Sequence, residues 1–144
     1  MKASITLKGE RAELARLQDF ADDFAQKCGF PDHERSRLLI ILEELFTNAA
    51  THGRARASVA GQVTIVLGWK MGRLRISFMD DGQPFDPLTF RSPELEGPPE
   101  ERPVGGLGIH LVRSLVHRAR YRRRHSRNYL YLVRRVESPS GEPG

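Results

Sequence analysis

One cysteine, Cys28, in 144 residues leaves no partner for an intrachain disulfide and excludes a cysteine-rich zinc site. Such sparing use of thiols fits a reducing compartment. No apolar run approaches the roughly 18 to 20 residues that a membrane span requires. The first residues also lack a basic start followed by an apolar stretch, so the expected location is cytoplasmic, with no membrane partner. No internal repeat and no shift of composition divides the chain, whose length suits one domain with one core. The expected domain runs over residues 1–137, with residues 138–144 as a flexible tail.

Acid is missing where base is most abundant. Residues 113 to 135 hold nine arginines and no Asp or Glu, whereas residues 80 to 101 hold seven acids and one arginine. This asymmetry says more than the formal net charge of +5. A basic stripe can meet nucleic acid or an acidic protein surface. It can equally be a charged sheet edge that discourages aggregation. The stripe carries no motif of a nucleic-acid reader, so the edge reading is preferred and nucleic acid is not expected as a partner.

Periodicity places the elements. Met1 to Lys8 alternates as a short strand, and Glu10 to Lys27 carries Leu14, Leu17, Ala21 and Phe24 at helical spacing before Cys28-Gly29 stops it. A second helix is expected from Pro31 to Thr51, with Asp32 and Glu34 near its N-terminus, where the helix dipole favours acid. Gln62 to Lys70 and Arg73 to Met79 read as a hairpin turning at Met71-Gly72. Residues 88 to 104, rich in Pro and Glu, are longer than most connections and read as a lid. A helix from Ile109 to His117 and two strands, Arg118 to Arg124 and Asn128 to Val136, complete the domain.

Three stretches carry chemistry. In Glu43 to Gly53, the carboxylate of Glu44, the amide of Asn48 and the imidazole of His52 recur every four residues, on one drifting stripe beside the apolar face of Leu38, Leu42, Leu45, Phe46 and Ala49. Polar groups at the rim of a core are costly unless satisfied, which suits a ligand as well as a satisfied helix boundary. Asp80-Asp81-Gly82 lies at a strand end; a carboxylate there can accept from an exocyclic amine such as adenine's, and Gly82 lets backbone approach a flat ring. Gly105-Gly106-Leu107-Gly108 at a helix start offers bare amides to phosphate. Each is weak alone, since the second is also a common turn. Together they supply a magnesium ligand, a base-reading carboxylate and a phosphate cradle, and magnesium needs little more than one amide oxygen beside phosphates and water.

With Glu44-x-x-x-Asn48 and His52-Gly53, Asp80-x-Gly82, and Gly106-x-Gly108, the chain resembles the GHKL ATPase superfamily of histidine-kinase, type II topoisomerase and heat-shock chaperone ATPase domains. These strings match its N, G1 and G2 boxes. The run Gly105-Gly106-Leu107-Gly108-Ile109-His110-Leu111-Val112-Arg113-Ser114-Leu115 is similar to that of the small anti-sigma factor serine kinases of bacteria. The resemblance implies a two-layer α/β (α+β) sandwich, helices on one face of a mixed, mostly antiparallel sheet. It assigns Asn48 to Mg2+, Asp80 to the adenine amine of ATP, Gly106 and Gly108 to the phosphates, and Glu44 to the general base. Arg102, one of two lid cations with Arg91, is the candidate for the γ-phosphate. His52 is expected to pack at the helix end.

What the resemblance implies about function is an ATP-dependent protein serine kinase that phosphorylates an anti-sigma factor antagonist and sequesters a sigma factor. The alternatives are a nucleotide-gated adaptor without turnover and the catalytic part of a histidine kinase. Homodimers are common among the kinases it resembles, but no stretch declares such an interface.

Overall fold

A computed structural model of the chain describes residues 1–53, 61–89 and 104–136. Most of the expected lid, including Arg91 and Arg102, and the expected tail lie outside the described residues. Five strands, β1 (Lys2–Lys8), β2 (Gln62–Lys70), β3 (Arg73–Asp80), β4 (Arg118–Arg124) and β5 (Arg127–Arg135), form one sheet of order β1-β2-β3-β5-β4. Every pairing is antiparallel, so the mostly antiparallel sheet implied by the resemblance is wholly antiparallel among the described strands. Three helices accompany it: α1 (Leu14–Cys28), α2 (Asp32–Asn48) and α3 (Val104–Leu115).

Period-two alternation buries one side of the sheet. Val63, Ile65 and Leu67 of β2, Leu74, Ile76 and Phe78 of β3, and Leu130 and Leu132 of β5 join Leu17 and Phe24 of α1 and Leu38, Ile41, Leu42, Leu45 and Phe46 of α2 in a single core. Full burial of such a side chain contributes about 1.5 to 3 kcal/mol, so the contact between the helix layer and the sheet is a large source of stability. Both hairpins turn through residues of positive φ, Met71 and Gly72 in one, His125 and Ser126 in the other. Turns of that hand match the twist of the flanking strands.

α1 stops at Gly29, which adopts the left-handed conformation at φ 72° while the Phe30 N–H donates to the Ala25 carbonyl at 2.9 Å. Phe30 then packs edge-on against Phe24 and Trp69. The helix begins at Leu14, after a 3-10 turn over Arg11–Glu13, later than its periodicity predicts. Glu34, expected only to sit favourably at the start of α2, is buried there. It accepts two hydrogen bonds from Arg134 of β5, at 2.9 and 2.8 Å, and one from Arg37 at 2.7 Å. Arg134 also donates to the carbonyl of Leu115, so a single guanidinium joins α2, β5 and the end of α3.

α2 is regular only to Asn48 and then widens into a π turn over Ala49–Gly53. The Asn48 side chain donates to the Glu44 carbonyl at 2.9 Å. A side chain inserted in the i to i−4 ladder loosens the helix at that point. Widened turns of this kind are frequent at functional sites.

Candidate functional site

The ends of α2 and β3 and the inner side of the β4–β5 hairpin enclose a cleft of about 330 Å³, its open mouth included. Leu45, Asn48 and Ala49 form one wall and Phe78, Asp80 and Leu130 the other; Phe85, Pro87, Tyr121 and Asn128 complete it. Ligand clefts are mostly apolar with a few placed polar groups, as this lining is. Asn48 and Asp80, proposed from separate motifs, therefore line one space. A smaller hollow of about 190 Å³ continues past Ala49 and Asp80 to Gly61 and Gly82.

Asp80 is fixed by one of its two oxygens. Oδ1 accepts the Gly82 N–H at 3.0 Å and Nδ2 of Asn128 at 2.9 Å, and no described donor engages Oδ2. Burial pushes its carboxyl above the usual range, against the downward pull of those two bonds. Gly82 thus anchors the carboxylate through its own amide, a role beyond the clearance expected from the sequence. The neighbouring acid has different work: Asp81 Oδ1 accepts the Gln62 N–H at 2.9 Å and closes the start of β2. A Cβ on Gly61 would fall 2.5 Å from that oxygen, which is why a glycine stands there.

Asn128 was not singled out by its sequence, yet it organises the cleft. Only 4% exposed, it donates to Asp80 and to the Gln83 carbonyl at 2.8 Å, and accepts from the Tyr121 hydroxyl and from the Phe85 N–H at 3.3 Å. A signal existed: Asn128 continues the inward series of Leu130 and Leu132, and an amide at a core position requires partners.

Glu44 lies one helical turn before Asn48. Its neighbour Glu43 is held by Gln18 at 2.7 Å, whereas no described residue donates to the Glu44 carboxylate. Burial, reinforced by the charge of Glu43, pushes the Glu44 carboxyl up. This carboxylate lies against Gly108 so closely that a Cβ there would overlap its Oε2 and Cδ. The glycine assigned to phosphate by the resemblance is thus also the one that admits Glu44 to the start of α3. His52 and Gly53 fall in the π turn, with their side-chain surroundings outside the described residues.

The glycine run is not a loop preceding a helix at Ile109. α3 starts at Val104 and ends at Leu115, so Gly105, Gly106, Leu107 and Gly108 occupy its first turns and Val116 and His117 lie beyond it. The first four amides of a helix have no internal acceptor, and they carry its positive dipole end.

Whether the residues fit a magnesium ion can be judged from Asn48. It is 7% exposed, and its amide nitrogen is committed to Glu44, which leaves a hard oxygen as the atom available to the cleft. No cluster of three or more His, Cys, Asp or Glu among the described residues could hold a metal unaided. Such a donor set suits magnesium, which completes its shell with phosphate and water.

The family described as histidine kinase-like ATPase domain matches residues 7–134. The serine-protein kinases RsbW of Bacillus mycoides and Bacillus cereus are each 29% identical over 120 residues, 81% of this chain and 72% of theirs. Among solved structures, the RsbU and RsbW domains of a Mycobacterium tuberculosis protein align with TM-score 0.67 at 18% identity over 94% of this chain, which spans 32% of that longer one. The histidine kinase domain of a blue-light activated kinase from Erythrobacter litoralis aligns at 0.55 and 19% over 87% of this chain and 60% of its own.

Proposed function

The chain belongs to the histidine kinase-like ATPase domain family, and from that premise we propose that it is an ATP-dependent protein serine kinase acting as an anti-sigma factor. The observation that carries the reading is that Asn48 and Asp80 line one cleft, with the desolvated carboxyl of Glu44 a turn away. RsbW relatives named as serine-protein kinases support the choice of acceptor. On this reading the substrate is a serine of an anti-sigma factor antagonist, and the sequestered partner is a sigma factor in the cytoplasm. No helix among the described residues is long and apolar enough to cross a membrane.

Bound magnesium and ATP supply the phosphoryl group and its charge neutralisation. Asp80 offers Oδ2 to the purine amine, and the apolar walls take the ring. Asn48 would give its amide oxygen to the metal, and the first-turn amides of α3 would take phosphate charge, with Gly82 holding Asp80 in place. Glu44 would accept the proton that the serine hydroxyl releases as its oxygen bonds to the γ-phosphorus and the bond to the departing ADP breaks; a carboxyl raised by burial is better matched to that work than an exposed one. Arg102 remains the lid cation proposed for the γ-phosphate.

Incubation with labelled ATP and the cognate antagonist tests this. Wild-type protein transfers label to serine, and Glu44→Gln binds ATP with unchanged affinity but transfers at least a hundredfold more slowly. Equal transfer by Glu44→Gln overturns the base assignment. No transfer by wild-type protein that still binds ATP would make the chain a nucleotide-gated adaptor.

A further inference from the structure

Cross-strand partners share a face of the sheet, so the register assigns every strand residue to one side. On the side away from the helices, β4 presents Arg118, Arg120, Arg122 and Arg124, all exposed. They recur every second residue, about 6.6 Å apart along the strand. The row continues inward: Arg118 stands opposite Val133, which stands opposite Arg75 of β3. No Asp or Glu occupies an outward position on any of the five strands. None of these arginines has an ion pair among the described residues.

Aromatic rings lie between the cations. Tyr131 is opposite Arg120 and Tyr129 opposite Arg122; the two rings are parallel within 10°, with centroids 6.4 Å apart, and Tyr131 is 41% exposed. A charged edge strand explains β4 alone. It does not explain Arg75 or Arg73, which stand on the central strand, or the paired tyrosines on β5. Self-association through this face is opposed by its uniform positive charge.

We propose that the outward face of the sheet, centred on Arg120, Arg122, Tyr129 and Tyr131, binds single-stranded nucleic acid. Arginine grips phosphate in a fork and stacks on flat rings, and the exposed Tyr131, backed by the half-buried Tyr129, gives bases a surface that reads no sequence. An acidic polypeptide would use the arginines but has no comparable use for the tyrosine pair. The face lies across the sheet from the cleft, so the site is independent of ATP.

Fluorescence anisotropy with a labelled 20-nucleotide single strand, as DNA and as RNA, provides the test. Binding is expected at 50 mM KCl, weakening about fiftyfold by 200 mM if four phosphates are contacted, from a slope of roughly 0.7 per phosphate. Arg120→Glu/Arg122→Glu weakens it at least tenfold and Tyr131→Ala at least fivefold. Both variants keep the wild-type melting temperature within a few degrees and bind ATP normally. Absence of binding at 50 mM, indifference to the charge reversal, or poly-glutamate and duplex DNA binding as tightly as the single strand with Tyr131→Ala neutral would each overturn the proposal.

Discussion

Asn128 uses both ends of its amide inside the cleft, donating to Asp80 and the Gln83 carbonyl and accepting from Tyr121 and Phe85. Truncation to alanine leaves the Tyr121 hydroxyl and the Gln83 carbonyl without it, at about 2 to 3 kcal/mol in urea unfolding. It also frees Asp80 to swing, so ATP affinity falls at least tenfold by calorimetry. Gly108→Ala should behave in the opposite way. The added methyl meets the Glu44 side chain from Cγ outward, which can rotate aside, so stability changes by less than about 1 kcal/mol. Phosphoryl transfer, however, drops at least tenfold. If that loss acts through Glu44, adding Gly108→Ala to Glu44→Gln lowers transfer no further; an additional tenfold loss would instead place the glycine's role at the phosphates.

The elements are held in register by the arginine of β5 that reaches α2 and α3. Arg134→Met leaves the buried Glu34 with Arg37 as its one hydrogen-bonding side chain among the described residues, and removing one partner of such a pair typically costs about 3 to 5 kcal/mol. The same pair makes stability depend on acid. Burial alone would raise the Glu34 carboxyl, but the hydrogen bonds and charges of Arg134 and Arg37 outweigh it and hold the group below its ordinary range. A lowered folded pKa contributes stability that is fully present above the unfolded value, about 4.3, and is lost as pH falls through the folded value. Melting curves below pH 4 should therefore fall more steeply in wild-type protein than in Arg134→Met/Glu34→Leu. Parallel curves would show that the pair contributes nothing to acid sensitivity.

At the scale of the molecule, the three motifs were legible because each combines a residue type with a place. Alternation located the strand that ends in Asp80, and helical spacing set Glu44 and Asn48 on one stripe; helices against a mixed, mostly antiparallel sheet followed from the resemblance. What escaped were contacts between distant segments. Nothing local in the stretch Arg127 to Arg135 declares that Asn128 meets Asp80, or that Arg134 meets Glu34 a hundred residues away. The start of α3 was misplaced because glycines read as a break, although the first turn of a helix needs no amide acceptors and tolerates them. The end of α2 was extended through Thr51 because periodicity cannot register a side chain that enters its own ladder. The arginine stripe showed its charge in one dimension and its face only in the sheet.

Isothermal titration of the whole chain with ATP, with and without magnesium, measures most directly whether one cleft holds the nucleotide. Wild-type protein should bind one ATP per chain, at least tenfold more tightly with magnesium; Asn48→Ala should lose the magnesium effect, and Asp80→Ala should bind at least tenfold more weakly in either condition. No heat from wild-type protein, or both variants binding as it does, would contradict the shared site.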